Sequence, residues 1–271
     1  MNMNLRNKIA GAIYGFAIGD AMGATTEFMS DRQIWRYIGQ VTDIVGGGWL
    51  SLNPGDVTDD TQMTMCVMDA LMKYPNSQKK FKTKCALNFV HWYNSNPPDV
   101  GGQCAKGITY FLNHGKYIPI DNDALGNGSL MRAMPCALLG KDKMNVIQGA
   151  ITHNNFKCGQ VIQEYSRLIQ DYMEGKIYTG NIKSLQKPSG YIVDTFNNSV
   201  YWSCKDSFEE AIIGAVNHGG DADTIAAITG SLAGARFGFE NIPSRWIDKL
   251  NPEVKIFLEN FKNFVFSYLQ I

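Results

Sequence analysis

Residues 1–24 read MNMNLRNKIAGAIYGFAIGDAMGA, and the fold turns on how that stretch is understood. Arg6 and Lys8 precede an apolar run from Ile9 to Gly19, with small residues after it, which is the layout of a cleaved secretion signal. Asp20 falls just before the position where cleavage would occur. Gly11, Gly15 and Gly19 recur at every fourth position and give a helix a smooth face for close packing, although each glycine costs about 1 kcal/mol relative to alanine. The stretch is therefore read as a retained helix over 5–20, with Leu5, Ile9, Ala12, Ile13 and Phe16 on one face. No apolar run reaches the ~18 residues that a membrane span needs, so no membrane role is expected.

The same periodicity continues along the chain. It predicts helices over 58–74, 79–94, 157–175, 206–217, 223–237 and 252–269, with shorter ones near 31–38, 103–112, 129–139 and 143–152. The best strand signal is YIVDTF at 191–196. Glycine- and proline-rich stretches mark loops: GGGWLSLNPGD (46–56), NSNPPDVGG (94–102), PIDNDALGNG (119–128) and SLQKPSG (184–190). With no internal repeat, this is a single all-α domain over 1–271, of about ten or more helices, with its functional residues on the loops.

Composition narrows the function. Hydrophobic residues make up 45% and charged residues 18%, with a formal net charge of +0, a globular balance without a basic run. Nucleic acid is not expected as a partner, and recognition has to be local, in a pocket. The 6 cysteines include no CxxC pair and fall mostly in apolar stretches, so they read as buried free thiols in a reducing, cytoplasmic setting. The 4 histidines are scattered, and nothing has zinc-ligand spacing.

Two carboxylate clusters carry the chemistry. GDVTDDTQM places Thr58 as a natural N-cap with Asp59, Asp60 and Thr61 in the first turn, where the helix dipole favours acids by about 0.3–1 kcal/mol each. HGGDADT places Asp221, Asp223 and Thr224 at a second helix start, after a glycine pair. A capped helix explains either one alone. If the two meet, four carboxylates and two hydroxyls share a small volume, which requires protonation or cations. An all-oxygen set suits Mg²⁺ or Mn²⁺, with Ca²⁺ possible. Asp20 and Glu27 follow the first helix, Asp99 lies on a Gly/Pro-rich loop, and Asn127, Gly128, Ser129 and Arg132 form a loop-to-helix junction suited to an anion. His153 lies in ITHNN. Each of these also has an ordinary turn, cap or helix-end explanation.

The motifs GAIYGFAIGDAMGATTEF, TDDTQM, PPDVGG, GNGSLMRAMP and HGGDADTIAAITGSLAGARFG stand in the order seen in the ADP-ribosylglycohydrolase family, which the chain resembles from about residue 8 to 240. The resemblance implies an orthogonal helical bundle with a binuclear Mg²⁺ or Mn²⁺ centre in a cleft. It implies metal ligands at Thr58, Asp59, Asp60, Asp221, Asp223 and Thr224. Glu27 matches the family's glutamate beside the metals, implicated in catalysis or in gating. Asp99 matches a loop aspartate near the substrate. Asn127, Gly128 and Ser129 fall on the diphosphate-binding loop, and His153 matches a histidine on the rim of the adenosine side. Residues 175–205 match nothing in the family pattern.

The residues suit that chemistry. Hydrolysis at a ribose anomeric carbon builds oxocarbenium-like charge. Metals can orient a water and lower its pKa, and Glu27 or Asp60 can take its proton. The expected function is metal-dependent removal of ADP-ribose from a modified protein side chain, arginine being favoured over serine, by a monomer whose partners are ADP-ribose and ADP-ribosylated protein. A non-catalytic ADP-ribose-binding or immunity-type member, or a hydrolase of another conjugate such as O-acetyl-ADP-ribose or ADP-ribosylated nucleic acid, stays open.

Overall fold

The computed structural model describes residues 3–180 and 184–271. Among these there are 13 α-helices and no strand. In chain order they are α1 (Met3–Gly23), α2 (Asp31–Tyr37), α3 (Asp59–Lys73), α4 (Gln78–Asn94), α5 (Gly102–His114), α6 (Met134–Leu138) and α7 (Asp142–Gly149). After them come α8 (Phe156–Met173), α9 (Ile192–Ser203), α10 (Phe208–His218), α11 (Ala222–Phe237), α12 (Ser244–Lys249) and α13 (Pro252–Leu269).

The centre of the molecule is the antiparallel pair α1 and α11. Residues 8–27 are all buried, as is every residue from Ala222 to Ala235. Such helices are apolar all round because neighbours surround them. This explains why the N-terminal stretch imitates a targeting segment, and it replaces the single apolar face expected of residues 5–20. The glycines at fourth positions let the two backbones touch. A Cβ on Gly15 would stand 2.3 Å from the carbonyl oxygen of Gly230, and one on Gly19 2.0 Å from that of Ala226. From the other side, a Cβ on Gly234 would meet the carbonyl oxygen of Gly11 at 2.0 Å. Helices α3, α8, α9 and α10 pack around this pair in one continuous apolar core. No helix among the described residues is long and apolar enough to cross a membrane.

Three expectations need correction. Residues 191–196 form no strand but the start of helix α9. Its buried residues Ile192, Thr195, Asn198, Ser199, Val200 and Ser203 repeat every three to four positions, a period too long to read in six residues, and packing overrides the local β-propensity. The helix expected at 129–139 is split into a 3-10 turn, Asn127–Ser129, and α6, which Pro135 helps to start. Asp20 does not follow the first helix but lies in its last turn. The short helix α12 was not anticipated. Residues 181–183, within the stretch 175–205 that was expected to match no family motif, lie outside the described residues.

Candidate functional site

Helices α3 and α11 begin at the same place. Thr58 is the N-cap of α3, its hydroxyl accepting from the Asp60 N–H at 3.3 Å. Asp221 occupies the corresponding position of α11 but makes no capping bond. Its placement comes from the loop before it. Gly219 and Gly220 have φ of 74° and 64°, and a Cβ on Gly220 would lie 1.9 Å from the carbonyl oxygen of Pro188. Gly220 exchanges two backbone bonds with the segment after Glu27: Phe28 N–H to Gly220 O at 2.7 Å, and Gly220 N–H to Met29 O at 2.8 Å. The Asp221 N–H donates to Pro188 O at 3.1 Å.

The acids therefore converge. Oxygens of Asp59, Asp60 and Asp223 lie within 4.8 Å of one another, and so do oxygens of Glu27, Asp221 and Asp223, with Asp223 in both groups. The two threonines stand between them. Thr58 Oγ1 is 2.8 Å from Asp20 Oδ1 and 3.2 Å from Asp60 Oδ2, and Thr224 Oγ1 is 3.2 Å from Asp60 Oδ2 and 3.3 Å from Asp221 Oδ1. A hydroxyl has one proton, so these contacts contain more acceptors than donors. Oδ1 of both Asp60 and Asp223 is buried with no hydrogen-bond partner at all. Buried orphan carboxylate oxygens are costly unless a countercharge meets them. A hard divalent cation among these oxygens supplies one, and the donor set fits it.

Electrostatics agree. Burial, then repulsion from neighbouring carboxylates, holds Asp59, Asp60 and Asp223 well above the usual carboxylate range. Burial raises Asp221 and Asp20 as well, the latter against opposing bonds from Thr58 and Thr61. Burial pushes Glu27 to about 8, with Asp221 and Asp99 adding to it and the bond from Trp49 opposing it. Arg132, though fully buried, donates to Gly128 O, Gln148 and Thr152, and none of these is a carboxylate.

Glu27, Asp59, Asp60, Asp221 and Asp223 line a cavity of about 230 Å³, together with Asp99, Gly126, Asn127, Gly128 and His153. A second cavity, of about 380 Å³ and largely apolar, lies beyond His153, which lines both. His153 is buried, and burial together with the Arg132 charge pushes its pKa down to about 3, so it is neutral. Thr152 Oγ1 accepts from Arg132 and lies 2.8 Å from His153 Nδ1. If its proton goes to Nδ1, the histidine's own proton stays on Nε2. Gly128 has to be small: a Cβ there would lie 2.7 Å from Cys104 Sγ and 2.8 Å from the His153 ring. Asn127 turns its amide to Asp221 and to Thr195, the latter at 3.0 Å. Ser129 stands behind the wall, its hydroxyl buried and unpartnered.

Asp20 was named only as an acid after the first helix, and Trp49, Gly48 and the start of α5 carried no expected role. Asp20, fully buried, accepts from the Thr58 N–H (3.1 Å), the Thr58 hydroxyl (2.8 Å) and the Thr61 N–H (3.0 Å), and so pins the start of α3 to α1. Trp49 donates its indole N–H to Glu27 Oε2 at 2.5 Å. Gly48, with φ of 67° and a would-be Cβ 2.1 Å from Ala24 O, lets that loop come close enough. The start of α5 (Gly101, Gly102, Gln103, Cys104) faces the cavity without a side-chain cap, leaving backbone N–H groups free for an anion. The stretch VGGQC was the available signal for it. Phe28, also on the cavity wall, has φ of 62°, a conformation that costs a non-glycine residue on the order of 1–3 kcal/mol.

Comparison with known proteins bears on the chemistry. A sequence model described as ADP-ribosylglycohydrolase matches residues 1–187 and 157–265, so the match takes in residues 175–205, which the motif pattern had left out. The chain is 34% identical to ADP-ribosyl-[dinitrogen reductase] glycohydrolase of Rhodospirillum rubrum, over 93% of this chain and 93% of that one. It is 29% identical to ADP-ribosylarginine hydrolase Tri1 of Serratia proteamaculans, over 92% of this chain and 77% of the relative. A solved structure titled ADP-ribosylglycohydrolase-related protein complex has the same fold, with a TM-score of 0.81 and 23% identity over 97% of this chain and 99% of that one.

Proposed function

Since the chain belongs to the ADP-ribosylglycohydrolase family, we propose that it is a divalent-metal-dependent hydrolase that removes ADP-ribose from modified arginine side chains. The observation that carries this reading is the surplus of buried carboxylate oxygen where α3 and α11 begin, with Asp60 Oδ1 and Asp223 Oδ1 unpartnered. Thr58, Asp59, Asp60, Asp221, Asp223 and Thr224 would hold two Mg²⁺ or Mn²⁺ ions, with Asp223 common to both groups. When bound, the ions neutralise the carboxylates, orient the ribose and lower the pKa of a water.

The chain's own residues do the rest. Glu27, held by the Trp49 indole and close to Asp221 and Asp223, takes the proton from the attacking water, with Asp60 the other candidate base. The bond from the anomeric carbon to the guanidine breaks with oxocarbenium-like charge that the surrounding acids stabilise, and the departing guanidine takes up the proton removed from the water. The free N–H groups at the start of α5 and the Asn127–Ser129 turn, with Gly128 on the wall, bind the diphosphate. Neutral His153, at the boundary of the two cavities, contacts the adenosine side and directs the base toward the apolar one. Asp99, across the cavity, faces the substrate near the scissile bond. The name of the Serratia proteamaculans relative, an ADP-ribosylarginine hydrolase, favours arginine as the acceptor.

The test is a side-by-side assay on arginine-linked and serine-linked ADP-ribosyl peptides. Free ADP-ribose is expected from the arginine-linked peptide with Mg²⁺ or Mn²⁺, and none after chelation. Full activity in EDTA, or tight binding of ADP-ribose without any release, would overturn the reading.

A further inference from the structure

Phe28 follows Glu27 directly, in the left-handed region where glycine or asparagine would sit without strain. Its ring fills no space in the core: it is 66% exposed, on the wall of the acid cavity. The two backbone bonds that Gly220 makes, accepting from the Phe28 N–H and donating to Met29 O, hold the conformation, turning Glu27 inward and the ring outward. Against the ring stands Trp49, itself 48% exposed, with ring centroids 5.4 Å apart. The Trp49 N–H is committed to Glu27, which fixes the indole plane.

Aromatic faces are thus presented at the edge of a cavity whose walls carry Glu27, Asp59, Asp99 and Asp221. Flat apolar faces beside excess negative charge suit a flat delocalised cation, and a guanidinium is such a group even with one nitrogen substituted. A serine-linked substrate presents no cation there. We propose that Phe28, braced by Trp49, is a specificity-determining residue that seats the guanidinium of the ADP-ribosylated arginine at the cavity mouth. The inference rests on the hydrolase reading above and names what selects its acceptor side chain.

Steady-state kinetics on an arginine-linked ADP-ribosyl peptide, with free ADP-ribose as competing product, tests it. Phe28→Gly removes the ring and relieves the backbone, so the variant should melt no lower than the wild type. It should raise KM about tenfold, with kcat within twofold and the inhibition constant of ADP-ribose little changed, because ADP-ribose carries no guanidinium. Phe28→Tyr should restore the wild-type KM. An unchanged KM in Phe28→Gly overturns the seat, and so does a fall in kcat alone or an equal weakening of ADP-ribose; all three leave the hydrolase reading standing. A wild-type preference for the serine-linked peptide overturns the seat and the arginine acceptor together, and leaves a metal-dependent hydrolase standing. A wild type that releases ADP-ribose from neither peptide overturns the hydrolase reading, and the seat with it.

Discussion

The two helix starts that share the acid site are built differently. Helix α3 starts conventionally, with Thr58 as an N-cap whose hydroxyl is bonded to the Asp60 N–H and with acids in the first turn. Helix α11 starts without a cap, after two glycines of positive φ that are tied to Pro188 and to Phe28 and Met29. In α3, local helix chemistry and the acid site want the same residues. In α11, only distant segments put Asp221 where it is. Damage to α3 should therefore be graded, whereas damage near α11 should dismantle the site.

The largest effect is expected at the acid common to both groups. Asp223→Ala should lose about three orders of magnitude or more in activity, together with stoichiometric Mn²⁺ binding by calorimetry, because several kcal/mol of charge stabilisation go with the ions. Next comes Gly220→Ala, whose Cβ would collide with Pro188 and whose φ of 64° strains any side chain. It should lower stability by about 3 kcal/mol in denaturant melts and weaken metal binding, although it changes no ligand. Asp20→Asn, on the α3 side, keeps the shape but weakens the acceptor for Thr58 and Thr61. Metal affinity should fall about 10- to 100-fold with the fold intact, as for other groups that orient a ligand. Loss of metal binding in Asp20→Asn as complete as in Asp223→Ala would break the comparison.

The smallest change needs no mutation. Glu27 and the aspartates around it have folded pKa values raised above their unfolded ones. In metal-free protein the unfolded chain therefore gives up these protons first. Stability is highest below the unfolded values near 4 and falls as pH rises toward the folded value of about 8 for Glu27. Melting temperature after chelation should fall between pH 5 and 8, and saturating Mg²⁺ should reverse the trend by adding stability, about 2.7 kcal/mol at 100-fold excess over Kd. A metal-free protein that gains stability with pH across this range would contradict the electrostatics described above.

The same contrast explains what the sequence made legible. Thr58, Asp59 and Asp60 announced themselves because capping and acid chemistry coincide in a few consecutive residues. Asp221 and Asp223 were visible as an anomaly, a pair of acids after two glycines. The pairings that hold the two helix starts were not: Asn127 lies 94 positions from Asp221, and Asp20 lies 38 from Thr58. Trp49 reads as one more residue of a glycine loop until the fold delivers it to Glu27. Helix α9 was misread because its β-branched start resembles a strand over six residues. The glycines of α1 were legible as a close-packing face, but nothing in the chain stated that the small residues of α11 meet them.

That seam limits how the protein can change. Where backbone lies on backbone there is no side-chain volume to trade, so compensating substitutions of the usual large-for-small kind have nothing to work with. The angle and offset of α1 and α11, and with them the distance from Asp20 to Asp223, form a fixed gauge. The mouth around Phe28, Trp49 and Asp99 is set by loops and exposed rings, and it can be rebuilt without disturbing that gauge. A lineage could rebuild the rim while the acid cluster stays where it is.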